Sequence, residues 1–198
     1  MSTTQMIFGG PEQAIFGVGM TQLGKSYGLP VYINVGLSDS KRPDAQAALE
    51  AGITLAFGTA AGADIFGHMG IAGVDQAASL DLLTMQNEVI AYVESTMREL
   101  DISDEALGLD LLEKLGPGGS FIDTDHTFER FRKELWMPKL LDRSYYQAWL
   151  DSGAKSMEQR CSVRKQEILD SHIPDQMDEK FVYELDSIVS AAKKELGD

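Results

Sequence analysis

Two segments of this chain read as strands, Val31-Tyr32-Ile33-Asn34-Val35 and Asp64-Ile65-Phe66-Gly67-His68-Met69, and a single helix-length segment lies between them. In that middle segment, from about Pro43, Ala45, Ala48, Leu49, Gly52, Leu55, Ala56 and Thr59 recur at helical spacing. Strand, helix and strand within about 40 residues is a βαβ unit, whose strands run parallel. Parallel sheets occur almost only with several strands and helices on both faces. This chain offers two strands, or three if Met6-Ile7-Phe8 ends another. The sheet is therefore completed by another copy or a partner, or the chain is the tail of a longer barrel.

The rest of the sequence is helical. Pro11 opens a helix over residues 11–27, which Gly28 ends and Pro30 keeps from resuming. Gly17, Gly19 and Gly24 weaken that helix and suit close approach to a flat surface such as a sheet. After Gly73 the pattern stays helical, with Leu82, Met85, Val89, Val93 and Thr96 on one face of residues 79–100. Further helices are expected from Ser103 to Gly116 and near residues 126–135, 142–151, 156–170 and 176–196. The expected organisation is a partial (β/α) barrel segment over residues 1–100 and a helical C-terminal region over residues 101–198 that packs on it.

Strand alternation places Val31, Ile33 and Val35 on one side of the first strand and Tyr32, Asn34 and Gly36 on the other. In the second strand Asp64, Phe66 and His68 oppose Ile65, Gly67 and Met69. If the β-branched side packs on the helices, the other side carries Tyr32, Asn34, Gly36, Phe66 and His68. A barrel interior filled only for packing prefers Val, Ile and Leu. Polar and aromatic groups there suit a ligand, and they also suit a satisfied polar core. His68 is open to three readings: a general acid or base, a hydrogen-bond donor to substrate, or a histidine packed against Gly67 and Gly70. Ser38, Asp39, Ser40, Lys41, Asp44 and Gln46 follow the first strand, at the end where barrel enzymes build their sites. Asp39 or Ser40 as a helix cap accounts for one or two of these six.

Several function classes are excluded. The net charge of −14, from 31 acidic and 17 basic residues, leaves no basic face for nucleic acid. No run of 18 apolar residues suits a membrane span, and the first residues lack the basic and apolar regions of a signal peptide, so a cytoplasmic location is expected. The single Cys161 forms no internal disulfide or cysteine-based zinc site, and it reads as a small buried residue. No metal site accompanies His68, because His126 and His172 fall in distant helical segments. There is no phosphate loop and no nucleophile elbow. Unpaired sheet edges predict a homo-oligomer.

Two long motifs carry a family resemblance. GLPVYINVGLSDSKRPDAQAALE, residues 28–50, resembles a region of trimethylamine methyltransferase family proteins with a Gly-Leu-(Ser/Thr)-Asp-Ser-Lys and Pro-Asp-Ala-Gln pattern. LEKLGPGGSFIDTDHTFERFRKELWMPKLLDRSYYQAW, residues 112–149, resembles that family's C-terminal Gly-Pro-Gly-Gly, His-Thr, Trp-x-Pro and Asp-Arg segment, and GGPEQA resembles the helix start before both. The resemblance implies an α/β fold, the C-terminal portion of a (β/α)8 TIM-type barrel with two or three parallel strands and a helical C-terminal region. It implies methyl transfer from a methylated amine, trimethylamine or a quaternary amine such as glycine betaine, to cob(I)alamin. The corrinoid is carried by a separate partner protein, so no cofactor is bound by this chain itself.

The resemblance also implies a non-pyrrolysine branch, because no such residue appears near the strand end that Gly36 resembles. Tyr32 stands where many members have a basic residue. On this reading Tyr32, Asn34, Gly36, Phe66 and His68 bind substrate, while Ser38, Asp39 and Lys41 form a rim or face the cofactor. No residue is assigned a catalytic role. The alternative is a shortened, non-catalytic relative that binds a small cation or serves assembly.

Overall fold

A computed structural model describes residues 4–197. By its internal packing the chain divides into two units, Met1–Lys165 and Gln166–Asp198. The molecule is mostly helical with a few short strands.

Unit one begins with α1 (Pro11–Ser26), whose Pro11 lies in the first turn as expected. Strand β1 (Tyr32–Asn34), helix α2 (Ala45–Ala61) and strand β2 (Ile65–Gly67) follow. The two strands pair in parallel, with Tyr32 opposite Ile65, Ile33 opposite Phe66 and Asn34 opposite Gly67. At their N-terminal ends Asp64 Oδ2 accepts the Val31 N–H at 2.7 Å, and Lys25 Nζ donates to Asp64 at 2.7 Å. One carboxylate thus staples α1 to both strands.

Val31, Ile33 and Val35 are buried as alternation requires, packed with Leu55 of α2 and Val93 of α3 (Leu80–Thr96). Close approach depends on two glycines. A Cβ at Gly24 of α1 would lie 2.6 Å from Val31 Cγ2, and one at Gly58 of α2 would collide with Ile33 and lie 3.0 Å from Phe66 Cε1. A second cluster joins Ala47, Leu82, Met85, Leu140 and Cys161. Caps fix the helix starts: Asp44 accepts from Ala47 N–H at 3.0 Å for α2, and Ser79 from Leu82 N–H at 3.2 Å for α3.

Several expectations are corrected. Met6-Ile7-Phe8 forms no strand; instead the Phe8 N–H donates to Asp39 Oδ1 at 3.1 Å. The chain does not turn directly helical after Gly73. It first forms an antiparallel hairpin of β3 (Ile71–Ala72) and β4 (Ala77–Ala78), turned by Val74 and Asp75 at φ of 62° and 61°. Gly73 is left-handed as well, at φ 60°, and of these three successive positions only the glycine marks the turn in the sequence, since Val74 and Asp75 replace the Asn-Gly that signals a tight hairpin. The third correction is that the helix expected from Ser103 is broken at Gly108 into α4 (Asp104–Leu107) and α5 (Leu109–Leu115), the glycine having φ 61° and sitting against the His126 imidazole.

Unit one continues through α6 (Asp125–Glu134), α7 (Tyr146–Asp151) and α8 (Met157–Ser171), which carries the boundary between units. Helix α7 starts four residues later than expected from Asp142, since Asp142 Oδ1 accepts the Ser144 N–H at 2.7 Å and closes a turn there. Unit two holds α9 (Glu179–Leu196), capped by Asp178. Among the described residues no helix is long and apolar enough to cross a membrane.

Candidate functional site

Among the described residues, helices pack on one face of the β1–β2 pair and leave the other open. On the other face Tyr32 and Ile65 are 51% and 54% exposed, although both sit in paired strands. Asn34 shares this face by alternation and is half-buried, its backbone carbonyl accepting from Gln13 Nε2 of α1 at 3.1 Å. The face consists of Tyr32, Asn34, Ile65 and Gly67, with no charged side chain among them.

His68 joins them through its backbone. It has φ 71°, a left-handed conformation uncommon for a non-glycine residue. Strand alternation stops at Gly67, and the imidazole lies against the Tyr32 ring with Nδ1 3.1 Å from Tyr32 Oη. The two rings meet edge to face, centroids 6.1 Å apart at 66°. One proton is shared at this contact, so Nδ1 and Oη fix each other's role. Gly67 lies directly under the phenol: a Cβ there would collide with Tyr32 Oη and come within 2.7 Å of Cε2. The tyrosine is thus seated on bare backbone and held from the side by histidine.

The other expected site residues separate from this pair. Phe66 is opposite Ile33 and packs into the core, so its expected place beside Tyr32 is corrected. Gly36 is buried at φ 76°, and Met69 Sδ fills the space a Cβ would take; it presents no open surface to a substrate. Ser38 is also interior, 1% exposed, and its hydroxyl donates to Glu50 Oε2 at 2.7 Å; it forms no rim.

The polar knot after β1 is chiefly an internal brace. Glu50 Oε2 also accepts the Asp39 N–H at 2.9 Å, while Ser38 Oγ accepts the Ser40 N–H at 2.9 Å and Ser40 Oγ donates to Asp44 Oδ1 at 2.9 Å. The Ala47 N–H, and then Ser40, hold the Asp44 carboxyl below its ordinary range. Lys41 is exposed and donates to the Asp39 carbonyl at 2.5 Å, while Asp39 is half-buried with its carboxylate held by the Phe8 N–H. Arg42 reaches Glu158 of α8 at 2.7 Å.

Two buried residues escaped the sequence reading. Gln86 is fully buried; its amide nitrogen donates to the Gly36 carbonyl and its oxygen accepts the Gly70 N–H at 2.6 Å. It ties together the chain beyond both parallel strands. Glu88, 3% exposed, accepts the backbone N–H groups of Lys139, Leu140 and Leu141 at 2.8, 2.8 and 3.2 Å. Both lie within the apolar stripe of α3, and a polar residue on an otherwise apolar face was the available clue. Cys161 is fully buried and burial pushes its thiol up to about 11, so it is no nucleophile. Among the described residues no group of three or more His, Cys, Asp or Glu is placed to hold a metal ion.

The chain as a whole resembles known proteins. The family profile for trimethylamine methyltransferase (MTTB) matches residues 1–197. Trimethylamine methyltransferase MttB of Desulfitobacterium hafniense (strain DSM 10664 / DCB-2) is 32% identical over 189 residues, 96% of this chain and 38% of its own. Glycine betaine methyltransferase of Desulfitobacterium hafniense (strain Y51) is 31% identical over 199 residues, 100% of this chain and 41% of its own. Trimethylamine methyltransferase MttB2 of Methanosarcina mazei is 28% identical over 186 residues, 94% of this chain and 37% of its own. The chain spans about two-fifths of the length of these curated relatives.

Proposed function

We propose, for a chain that belongs to the trimethylamine methyltransferase (MTTB) family, that the uncovered sheet face forms part of a pocket which binds a methylated amine and presents one methyl group for transfer. The observation that carries this reading is the exposed Tyr32 ring, which starts from the first residue of β1 and leans onto Gly67 and His68 at the C-terminal end of β2. That is where (β/α) barrels place their chemistry, and the reading makes this face part of a barrel interior.

The residues fit a quaternary ammonium. Such a cation is attracted to an aromatic face by roughly 0.5–2 kcal/mol, and the face offers Tyr32 without a neighbouring cation to repel the ligand. Asn34 and the His68 ring nitrogen turned from Tyr32 supply polar groups to orient the donor's remaining substituents. Cob(I)alamin, carried by a partner corrinoid protein, supplies the nucleophile when bound. The chain's own tasks are to hold the donor, aim one N–CH3 bond and exclude water. As that bond breaks its electron pair stays on nitrogen, so a quaternary donor departs as a neutral amine and needs no proton from the protein. Lys41, exposed on the loop with Asp39 half-buried beside it, is the group positioned to meet the partner.

The test is titration of the chain with tetramethylammonium, the simplest quaternary probe. Tyr32→Leu is expected to weaken binding about two- to thirtyfold, the range a cation–π contact supplies; unchanged affinity sinks the reading. Methyl transfer to cob(I)alamin, followed optically with trimethylamine and glycine betaine in turn and a corrinoid protein present, then separates enzyme from binding module. The two-stranded sheet favours a second reading, a non-catalytic module that binds a small cation. Binding of tetramethylammonium with no transfer from any donor selects it.

A further inference from the structure

Helix α9 carries a heptad seam that its own unit leaves bare. Val182, Leu185, Val189, Ala192 and Leu196 fall at alternating spacings of three and four residues, and Phe181 and Ile188 widen the stripe on one side. All of them are exposed, Ile188 at 66% and Leu196 at 84%. An 18-residue helix in water is marginal by propensity alone and draws its stability from packing an apolar face. This seam therefore calls for a cover.

The charges beside the seam indicate which cover. Along the flank opposite Phe181 and Ile188 run Glu179, Asp186 and Lys193, seven residues apart, acidic at the N-terminal end and basic at the C-terminal end. We infer that α9 pairs antiparallel with α9 of a second copy of this chain. In that arrangement Val182 meets Ala192 of the partner helix and Leu185 meets Val189, each twice by symmetry. Glu179 lies beside Lys193 of the opposite helix at both ends, and the one like-charge contact, Asp186 with its mate, falls at the dyad. Parallel pairing sets Asp186 and Lys193 beside Phe181 and Ile188 instead and makes no ion pair. The acidic half of the helix thus selects the basic half of its copy. The inference rests on α9 alone and is independent of the proposed methyl-transfer reading.

Sedimentation equilibrium and cysteine cross-linking of the full chain test it. The native chain is expected to be a dimer at micromolar concentration. Lys193→Glu is expected to weaken it about tenfold, and the swap Glu179→Lys with Lys193→Glu to restore it. Leu185→Glu is expected to give a monomer. Antiparallel pairing places residue 186 next to its mate but separates the two copies of residue 179 by about 21 Å, from 14 residues at 1.5 Å each. A short bismaleimide is then expected to link Asp186→Cys chains and not Glu179→Cys chains, with wild type, whose Cys161 is buried, as the control. A monomer at these concentrations overturns the pairing, as does a dimer insensitive to Leu185→Glu. Linking of Glu179→Cys chains overturns its direction.

Discussion

Gln86 accepts the Gly70 N–H at 2.6 Å while its amide nitrogen serves the Gly36 carbonyl fifty residues away in sequence, so one side chain joins the segments that follow both parallel strands. Truncating it strands a donor and an acceptor in the core. Gln86→Leu is expected to cost about 2–4 kcal/mol, read as a lower urea midpoint with unchanged slope. A loss below about 0.5 kcal/mol shows that the clamp contributes nothing.

Glu88 presents one carboxylate oxygen to three consecutive backbone N–H groups. Glu88→Ala leaves all three without a partner and is expected to destabilise by about 3 kcal/mol, whereas Glu88→Gln keeps an acceptor oxygen and costs less. Equal losses in the two variants refute the nest. Hydrogen exchange at Leu140 is expected to quicken in Glu88→Ala.

The backbone at His68 makes a separable prediction. At φ 71° a β-branched side chain is strongly disfavoured, and asparagine is tolerated. His68→Asn is expected to leave stability within about 0.5 kcal/mol of wild type, and His68→Val to lose more than 1 kcal/mol. If the imidazole positions Tyr32 for a ligand, His68→Asn nonetheless weakens tetramethylammonium binding.

Acid stability is expected to depend on Asp64. Its carboxyl is held below the ordinary range first by Lys25 and then by the Val31 N–H. A carboxylate with a depressed folded pKa contributes stability that is present above its unfolded value of about 3.9 and lost as pH falls through the folded value. Urea midpoints are therefore expected to drop below about pH 4, and Asp64→Asn to flatten that drop. An unchanged slope removes Asp64 from the account.

Cys161 provides a probe of opening. With its thiol pushed up to about 11 and no exposed surface, it is expected to resist an aromatic disulfide reagent at pH 8 and to react only as the chain unfolds. The labelling rate should follow denaturant concentration as unfolding does. Rapid labelling of the folded chain contradicts the burial.

Much of this architecture was legible in the sequence because it rests on short-range periodicity. Val31, Ile33 and Val35 alternate into the core, Pro11 opens α1, and α2 and α3 follow their apolar stripes. Phe66 was misplaced for a physical reason. Alternation within one strand cannot state which parity faces its neighbour, and turning the β-branched side, with Ile65, toward the helices chose the wrong one; register set Ile65, not Phe66, beside Tyr32. His68 reached the expected face by a left-handed backbone step that no periodicity contains. Ser38 was misread because its partner, Glu50, stands about one and a half turns inside the following helix.

Gly67 gives the candidate site a fixed vertical scale. With no atom allowed between its Cα and the phenol, the Tyr32 ring rests at the lowest height a peptide floor permits. A single methyl at position 67 would lift the ring by about its own thickness, and with it whatever cation the ring supports. If the face binds the proposed cation, residue 67 would therefore adjust the height of the ring for ligand size without touching any group that contacts the ligand.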